Sequence, residues 1–258
     1  MRWQQIANKV ISESVSLLRA PLPQKTGLRI LTYHTVGNKA YGDQLNLNTI
    51  SLDLFKQHIN TLSTHSVVPL NSKASINTKA LDLAITFDDG YKDNLYSVAP
   101  LLCNQNIPFT VYIASDFIKN QISGFLSPSE LVELSKFPGV TIGAHGKSHV
   151  HMSKCKPEDL IVELRDSKKY LEDLISLPVT TLAYPYGDFN QRVRDAALEE
   201  SYDLAATSDI GINNLHSDPL LLKRCVVLNG DSCRTLTQKI NGAWDWYQLR
   251  IKLAKAIQ

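Results

Sequence analysis

Cysteine is scarce in this sequence, and its four residues are never paired at short spacing. They stand at positions 103, 155, 225 and 233, so no Cys-x-x-Cys motif occurs. Zinc ribbons need closely spaced cysteine pairs, and small secreted domains need many disulfides. Both classes are excluded, and reduced thiols in a cytosolic protein are the simplest expectation.

Glycine and proline are also few, at 12 and 11 of 258 residues, which excludes collagen-like and low-complexity chains. Long apolar runs are lacking as well. A secretory signal needs about 7 to 15 consecutive apolar residues and a spanning helix about 20, whereas residues 1–21 are interrupted by polar side chains. The sequence therefore predicts a cytoplasmic protein.

Neither sign of charge is in large excess, because the sequence has 27 Lys and Arg and 25 Asp and Glu. The formal net charge is therefore only +2. Nucleic-acid binding requires a concentrated positive surface, so nucleic acid is not expected as a partner. With 43% hydrophobic and 20% charged residues, the composition is typical of a compact protein with a sizeable core.

The sequence does contain a regular alternation of apolar runs and amphipathic stretches. The apolar runs predict seven strands, at residues 29–33, 80–87, 108–114, 140–144, 180–184, 204–207 and 222–228. Helices are predicted at residues 51–64, 94–105, 128–136, 157–177 and 190–201, and in the terminal stretches 2–18 and 244–257. Strands that are apolar throughout suit a parallel sheet covered on both faces. We therefore expect an α/β fold, a TIM-like barrel that forms a single domain over residues 1–258 with its core at about 29–228.

Two adjacent carboxylates, Asp88 and Asp89, follow the strand that ends at Phe87, with Gly90 directly after them. In parallel barrels the carboxyl ends of the strands form the active-site face, so both carboxylates are expected there. The plain alternative is a solvated Asp-Gly turn, which this motif alone does not exclude.

Two histidines, His145 and His149, follow the strand 140–144 at a spacing of four residues. On a helical turn this spacing places both imidazoles on one face, where they can hold one metal ion. His151 would face elsewhere and is expected to be solvated. A third strand end, Tyr184-Pro185-Tyr186-Gly187, is a turn that could present backbone N–H groups. Each motif alone also fits an ordinary loop.

One carboxylate and two histidines leave an open position on a zinc ion, and the other carboxylate is then free to act as a general base. The motifs, in their order and spacing, resemble the NodB-homology polysaccharide deacetylases, carbohydrate esterase family four. They are Thr86-Phe87-Asp88-Asp89-Gly90, His145-Gly146-Lys147-Ser148-His149 and Tyr184-Pro185-Tyr186-Gly187. The resemblance covers roughly residues 29–228.

This resemblance implies a distorted (β/α)7 barrel that removes acetyl groups from N-acetylated sugars with one divalent metal, usually zinc, with cobalt or nickel as alternatives. It implies Asp89, His145 and His149 as the metal ligands. Asp88 would be the base that activates water, and the backbone N–H of Tyr186 would stabilise the oxyanion.

The sequence departs from the family pattern at two functional positions. Many members have an arginine where Ala183 stands, and Arg224 is the candidate replacement that would orient Asp88. The late histidine that acts as general acid is missing after residues 226–228. A subset related to exopolysaccharide deacetylases has this motif permuted to the first strand, and His34 matches that arrangement.

Three further histidines have plainer interpretations. His58 and His65 lie on or just after the first predicted helix and are expected to be exposed. His216 lies in a polar loop, where a role in the site is less expected than for His34.

The expected function is metal-dependent removal of the N-acetyl group from an amino sugar in a polysaccharide, oligosaccharide or glycolipid precursor. Two alternatives stay open: a hydrolase of cyclic amides such as allantoin on the same fold, and an inactive sugar-binding barrel. The terminal stretches mix apolar and aromatic residues with cations, which suits peripheral contact with an inner membrane. Two helices that close the ends of the barrel are the plainer interpretation, and the oligomeric state is left open.

Overall fold

The seven predicted strands form one parallel sheet in the computed structural model, which describes residues 8, 11–15, 25–70 and 76–257. In chain order the strands are β1 (Gly27–Tyr33), β2 (Thr35–Val36), β3 (Thr49–Ile50), β4 (Leu81–Phe87), β5 (Phe109–Ile113), β6 (Val140–Ala144), β7 (Thr181–Ala183), β8 (Leu204–Ala206) and β9 (Arg224–Val226). The main sheet has the order β8-β7-β6-β5-β4-β1-β9, while β2 and β3 pair separately.

The two outer strands of this order approach each other, so the sheet is a nearly closed barrel. Ala206 of β8 forms a parallel bridge with Leu222, and Thr207 N donates to Leu222 O at 2.8 Å. Within the sheet, β1 lies between the first and last parts of the chain, with Ile30 opposite Ala84 of β4 and Arg224 of β9. The expected distorted (β/α)7 barrel is confirmed.

The helices cover the outside of the sheet. They are α1 (Leu52–Leu62), α2 (Ala99–Cys103), α3 (Ser115–Lys119), α4 (Pro128–Leu134), α5 (Pro157–Ile175), α6 (Gln191–Glu199), α7 (Cys233–Ile240) and α8 (Trp246–Ile257). The start of α4 shows how local sequence sets these bounds. Ser127 and Glu130 form a reciprocal capping box, and Pro128 occupies the first turn, where its missing N–H costs nothing.

Alternate residues of each strand belong to two different cores. Leu31, Leu83 and Ile85 pack outward in the large cluster shared with the helices, whereas Ile30 and Ala84 belong to a small cluster inside the barrel. Nearer the carboxyl ends, the residues facing the interior become polar, and Thr32 and Thr86 pair through their hydroxyls at 3.1 Å. The floor of the barrel is therefore apolar, and its upper layer can hold charged groups.

Some elements differ from their predicted form. The helix predicted at 94–105 divides into a π-helical segment, Asn94–Val98, followed by α2. The short strands β2 and β3 and the helices α3 and α7 were not predicted. Of the N-terminal stretch 2–18, residues 8 and 11–15 are helical and the rest lies outside the described residues. No described helix is long and apolar enough to cross a membrane.

The expectation that His58 is exposed is wrong, because its side chain is fully buried. His58 shares the inner face of α1 with Phe55, Ile59 and Leu62. Its two ring nitrogens lie 3.3 Å from the Tyr33 hydroxyl and 2.7 Å from the carbonyl oxygen of Asp231. These partners satisfy the imidazole inside the core. His65 is partly buried rather than exposed.

Candidate active site

A cavity of about 660 Å³ opens at the carboxyl ends of the barrel strands. It gathers the side chains that follow four different strands, as expected for a parallel barrel. The predicted site residues that line it are His34 after β1, Asp88 and Asp89 after β4, His145 and His149 after β6, Tyr186 after β7, and Arg224 at the start of β9. All seven therefore meet in one place.

Asp89, His145 and His149 form a cluster whose ligand atoms all lie within 4.8 Å of one another. The Nε2 atoms of His145 and His149 lie 3.5 and 3.3 Å from Asp89 Oδ1. That oxygen is buried, yet it accepts no hydrogen bond of good geometry. Two imidazole nitrogens that converge on an unpartnered carboxylate oxygen have the donor types and the arrangement that a divalent metal requires.

Tight backbone turns present these side chains. Asp89 has φ 77°, His149 φ 56° and Tyr186 φ 60°, all in the left-handed region that most non-glycine residues avoid. Gly90 follows Asp89 with φ 84°, and a Cβ there would lie 2.8 Å from Ile113 Cδ1. The glycine thus lets the chain turn close against β5, so that two adjacent carboxylates both reach the cavity.

The cluster favours neutral imidazole at His145. Its Nδ1 lies 2.7 Å from the carbonyl oxygen of Ala183, which fixes the proton on Nδ1 and leaves the Nε2 lone pair free. Burial lowers the pKa of His145 to about 4 despite the nearby carboxylates. Burial alone would raise the pKa of Asp89, but His149 and the other histidines around it hold that pKa well below its usual range. His145 and Asp89 are thus set up to ligate without first losing a proton, whereas the Asp89 carboxylate outweighs burial and raises the pKa of His149.

Asp88 is held by Arg224 in a buried bidentate ion pair. Nη1 and Nη2 of Arg224 donate to the two carboxylate oxygens at 2.7 and 2.9 Å. Arg224 Nε donates to the carbonyl of Thr207 at 2.9 Å, which fixes the guanidinium plane. Although burial opposes ionisation, Arg224 lowers the pKa of Asp88. The two adjacent carboxylates therefore occupy different environments, since Asp89 faces the histidines and Asp88 faces the arginine.

Glu163 of α5 was not singled out from the sequence, although it holds the loop between the two histidines. Its buried carboxylate accepts the backbone N–H groups of Lys147 and Ser148 at 2.8 and 2.9 Å, and also the Ser148 hydroxyl. The signal in the sequence is an acidic residue at helical spacing on the apolar face of α5, between Leu160 and Ser167.

The other histidines differ in their access to the site. His34 lines the cavity, and its Nδ1 is buried without a hydrogen-bond partner. His151 stacks on the Tyr186 ring with centroids 4.3 Å apart and stays outside the ligand cluster, as expected. His216 is exposed in the loop after β8 and is not among the residues that line the cavity.

Comparison with known proteins finds relatives of this chain. The family model for polysaccharide deacetylases matches residues 75–205, about half of the chain. YxkH of Bacillus subtilis, assigned by name to the polysaccharide deacetylases, is 25% identical over 80% of this chain and 73% of its own length. The peptidoglycan-N-acetylglucosamine deacetylase PgdA of Listeria monocytogenes is 23% identical over 76% of this chain, which corresponds to only 36% of PgdA.

Solved structures show the same fold. The deacetylase PplD of Streptococcus pyogenes, in complex with acetate, superposes with a TM-score of 0.73 at 22% identity, covering 84% of this chain and 99% of PplD. IcaB of Ammonifex degensii gives a TM-score of 0.72 at 19% identity, covering 84% of this chain and 98% of IcaB. Together with the matched family model, these findings establish that the chain belongs to the polysaccharide deacetylase family.

Proposed function

We propose that the protein is a metal-dependent deacetylase that removes the N-acetyl group from an amino sugar within a glycan. The observation that carries the proposal is the pairing of an Asp-His-His cluster with a second carboxylate that an arginine holds beside it. Family membership supports the hydrolase class, and the name of the relative PgdA supports an N-acetylated sugar as the substrate.

A divalent metal fits the residues present, since Asp89 Oδ1 is buried and unpartnered and two Nε2 atoms converge on it. In the proposal Asp89, His145 and His149 hold this metal, with zinc as the first candidate and cobalt or nickel as alternatives. When bound, such a cation would polarise the acetamide carbonyl and lower the pKa of a water molecule.

The remaining site residues then have separate roles. Asp88 accepts the proton of the attacking water, and Arg224 holds its carboxylate in place. The backbone N–H of Tyr186, in the strained turn after β7, donates to the developing oxyanion. His34 protonates the departing amine, because it is the cavity-lining histidine outside the ligand cluster.

The two alternatives receive less support. An inactive sugar-binding barrel has no need for a buried Asp88–Arg224 pair, because such pairs are costly to desolvate and rarely add stability. A hydrolase of cyclic amides would suit a closed pocket, whereas the family and its named relatives act on glycans.

The proposal is tested by acetate release from N-acetylglucosamine oligomers, nucleotide sugars and lipid-linked sugars. Each substrate is offered to chelator-treated protein before and after addition of zinc, cobalt or nickel. We expect acetate from at least one glycan, only after metal is restored. Acetate from none of them, with allantoin hydrolysed instead, would favour the cyclic-amide alternative.

Peripheral membrane contact and a cytoplasmic location stay predictions. The terminal segments pack against each other, since Trp246 Nε1 donates to Ser12 Oγ and Arg250 donates to Asn8. Leu249 and Leu253 of α8 nevertheless remain about two-thirds exposed. Co-sedimentation with anionic vesicles at low salt tests the contact, and protein that stays wholly in the supernatant would exclude it.

A further inference from the structure

A chain of ring contacts, here named the aromatic strip, runs past the ligand cluster. It consists of Tyr41, Phe117, His149, Tyr186 and His151. The centroid separations between successive rings are 6.4, 5.8, 4.6 and 4.3 Å. His149 lies in the middle of this sequence of contacts and is also a member of the cluster. The strip therefore offers apolar surface on two sides of the proposed reaction centre.

The two tyrosines of the strip are unusually exposed for aromatic residues that line a cavity. Tyr41 is 68% exposed and Tyr186 is 59% exposed. Aromatic faces left in water at the rim of a cavity are apolar surface that a ligand can cover. The ring of Tyr41 is also backed by Phe125, whose centroid is 5.8 Å away, so one of its sides is already supported.

The loop that carries Tyr41 is firmly held, although its tyrosine ring is exposed. The backbone N–H of Tyr41 donates to the Tyr91 hydroxyl at 3.0 Å, and that of Ala40 donates to Thr49 Oγ1 at 3.1 Å. At the other end of the loop, Asn229 N donates to the carbonyl of Leu47 at 2.7 Å. A backbone held in this way is preorganised, so binding to the ring that it carries costs little backbone entropy.

The charges around the cavity indicate what kind of ligand would lie on the strip. Among the described residues that line the cavity, Arg224 is the only Lys or Arg, and both of its terminal nitrogens are engaged by Asp88. No unpaired Lys or Arg in that lining is thus available for a phosphate, which a nucleotide sugar would bring. The apolar C–H face of a neutral pyranose ring, in contrast, packs well on an aromatic ring.

We propose that Tyr41 and the stacked pair of Tyr186 and His151 are two stacking subsites for neighbouring sugars of one neutral glycan chain. This inference rests on the proposed function and adds to it. The sugar that loses its acetyl group would sit at the cluster, and its neighbours would lie on the two ends of the aromatic strip. The protein would therefore prefer internal residues of an oligomer to a single sugar or a nucleotide sugar.

The test compares Tyr41→Ala, Tyr41→Phe and the control Tyr96→Ala, which replaces a tyrosine of similar exposure outside the cavity lining. The quantity measured is the ratio of kcat/KM on the N-acetylglucosamine tetramer to kcat/KM on the monomer. We expect Tyr41→Ala to lower this ratio about tenfold, mainly through KM, while Tyr41→Phe retains it because stacking needs the ring and not the hydroxyl. Tyr96→Ala should leave the ratio as it is in the native protein.

Calorimetric binding of the tetramer, measured in an Asp88→Asn background, separates this inference from the proposed function. Weaker binding on addition of Tyr41→Ala supports the subsite even if no glycan is deacetylated, an outcome that would overturn the proposed function alone. An unchanged kcat/KM ratio together with unchanged tetramer binding in Tyr41→Ala would overturn the subsite. Equal losses in Tyr41→Phe and Tyr41→Ala would also overturn it, because the ring would then not be what the sugar contacts.

Discussion

Three of the eight described non-glycine residues with positive φ belong to the proposed site. Asp89, His149 and Tyr186 adopt positive φ without being glycines, which costs about 1 to 3 kcal/mol each. Surrounding contacts must offset this cost, and at His149 they include the short aromatic contacts with Phe117 and Tyr186. The positions of these three side chains are thus set by the loops as much as by the strands before them.

The different environments of Asp88 and Asp89 predict different consequences of mutation. Asp89→Ala should abolish both bound metal and activity, because it removes a ligand from the centre of the cluster. Asp88→Asn should keep the metal and lower the rate by about 10² to 10⁴, the usual contribution of a positioned acid or base. Metal analysis and acetate release on the purified variants check this. Loss of metal from Asp88→Asn would reverse the assigned roles.

His34 and His216 provide a matched pair of histidine substitutions. His34→Ala should lower kcat strongly at unchanged metal content and remove one limb of the pH profile, because His34 lines the cavity and His216 does not. His216→Ala should change little, since its side chain lies in an exposed loop. Steady-state kinetics over a range of pH decide the point, and a fully active His34→Ala enzyme would exclude it as the general acid.

At the scale of elements, α5 supports the loop that separates the two proposed histidine ligands. Glu163→Gln should lower metal affinity about 10- to 100-fold, as expected for a group that orients a ligand-bearing loop. The amide can no longer accept all three hydrogen bonds that the carboxylate receives from Lys147 and Ser148. Titration with zinc in competition with a chelator measures the loss. Glu158→Gln, at an exposed position of the same helix, is the control and should bind zinc like the native protein.

The contact between β2 and the π-helical segment predicts a pH dependence of stability. Burial raises the pKa of Asp93 to about 7, even though Val36 N donates to its carboxylate at 3.1 Å. An unfolded aspartate releases its proton near pH 4, so raising the pH from about 4 to about 7 favours the unfolded chain by up to roughly 4 kcal/mol. Asp93→Asn has no such proton to release, and its free energy of unfolding should fall less across this window.

Urea unfolding at pH 5 and pH 8 tests this dependence, with Asp53→Asn as an exposed control. The control should follow the native protein. An equal fall in Asp93→Asn and the native protein would show that other groups cause the pH dependence.

For the whole molecule, metal binding should raise the Tm of the protein. A ligand that binds only the folded state contributes about 2.7 kcal/mol at 100 times its Kd. In a protein of this size that corresponds to a rise in Tm of about 5 to 10 °C. Calorimetry with zinc and with chelator should show this difference in the native protein and lose it in Asp89→Ala. A native Tm that changes neither with zinc nor with chelator would contradict the metal site.

The barrel could be predicted from the sequence because its strands are continuous apolar runs, and a parallel sheet buried on both faces requires such runs. The positions of the strand-end motifs could also be predicted, because their polar residues come directly after the apolar runs that form the strands. His58 could not be placed, because its partner Asp231 lies 173 residues away. The two-residue strands β2 and β3 depend similarly on tertiary contacts, among them the pairing of the Thr35 and Thr49 hydroxyls.

The position of β9 beside β1 also bears on when the site is completed during synthesis. The matched family region, residues 75–205, contains the ligand cluster but neither His34 nor Arg224. The first strand of the barrel finds its second neighbour only after Val226 has left the ribosome. Until then Asp88 lacks the guanidinium that engages both of its carboxylate oxygens. The arginine that holds Asp88 thus becomes available only once the last strand of the barrel has been synthesised.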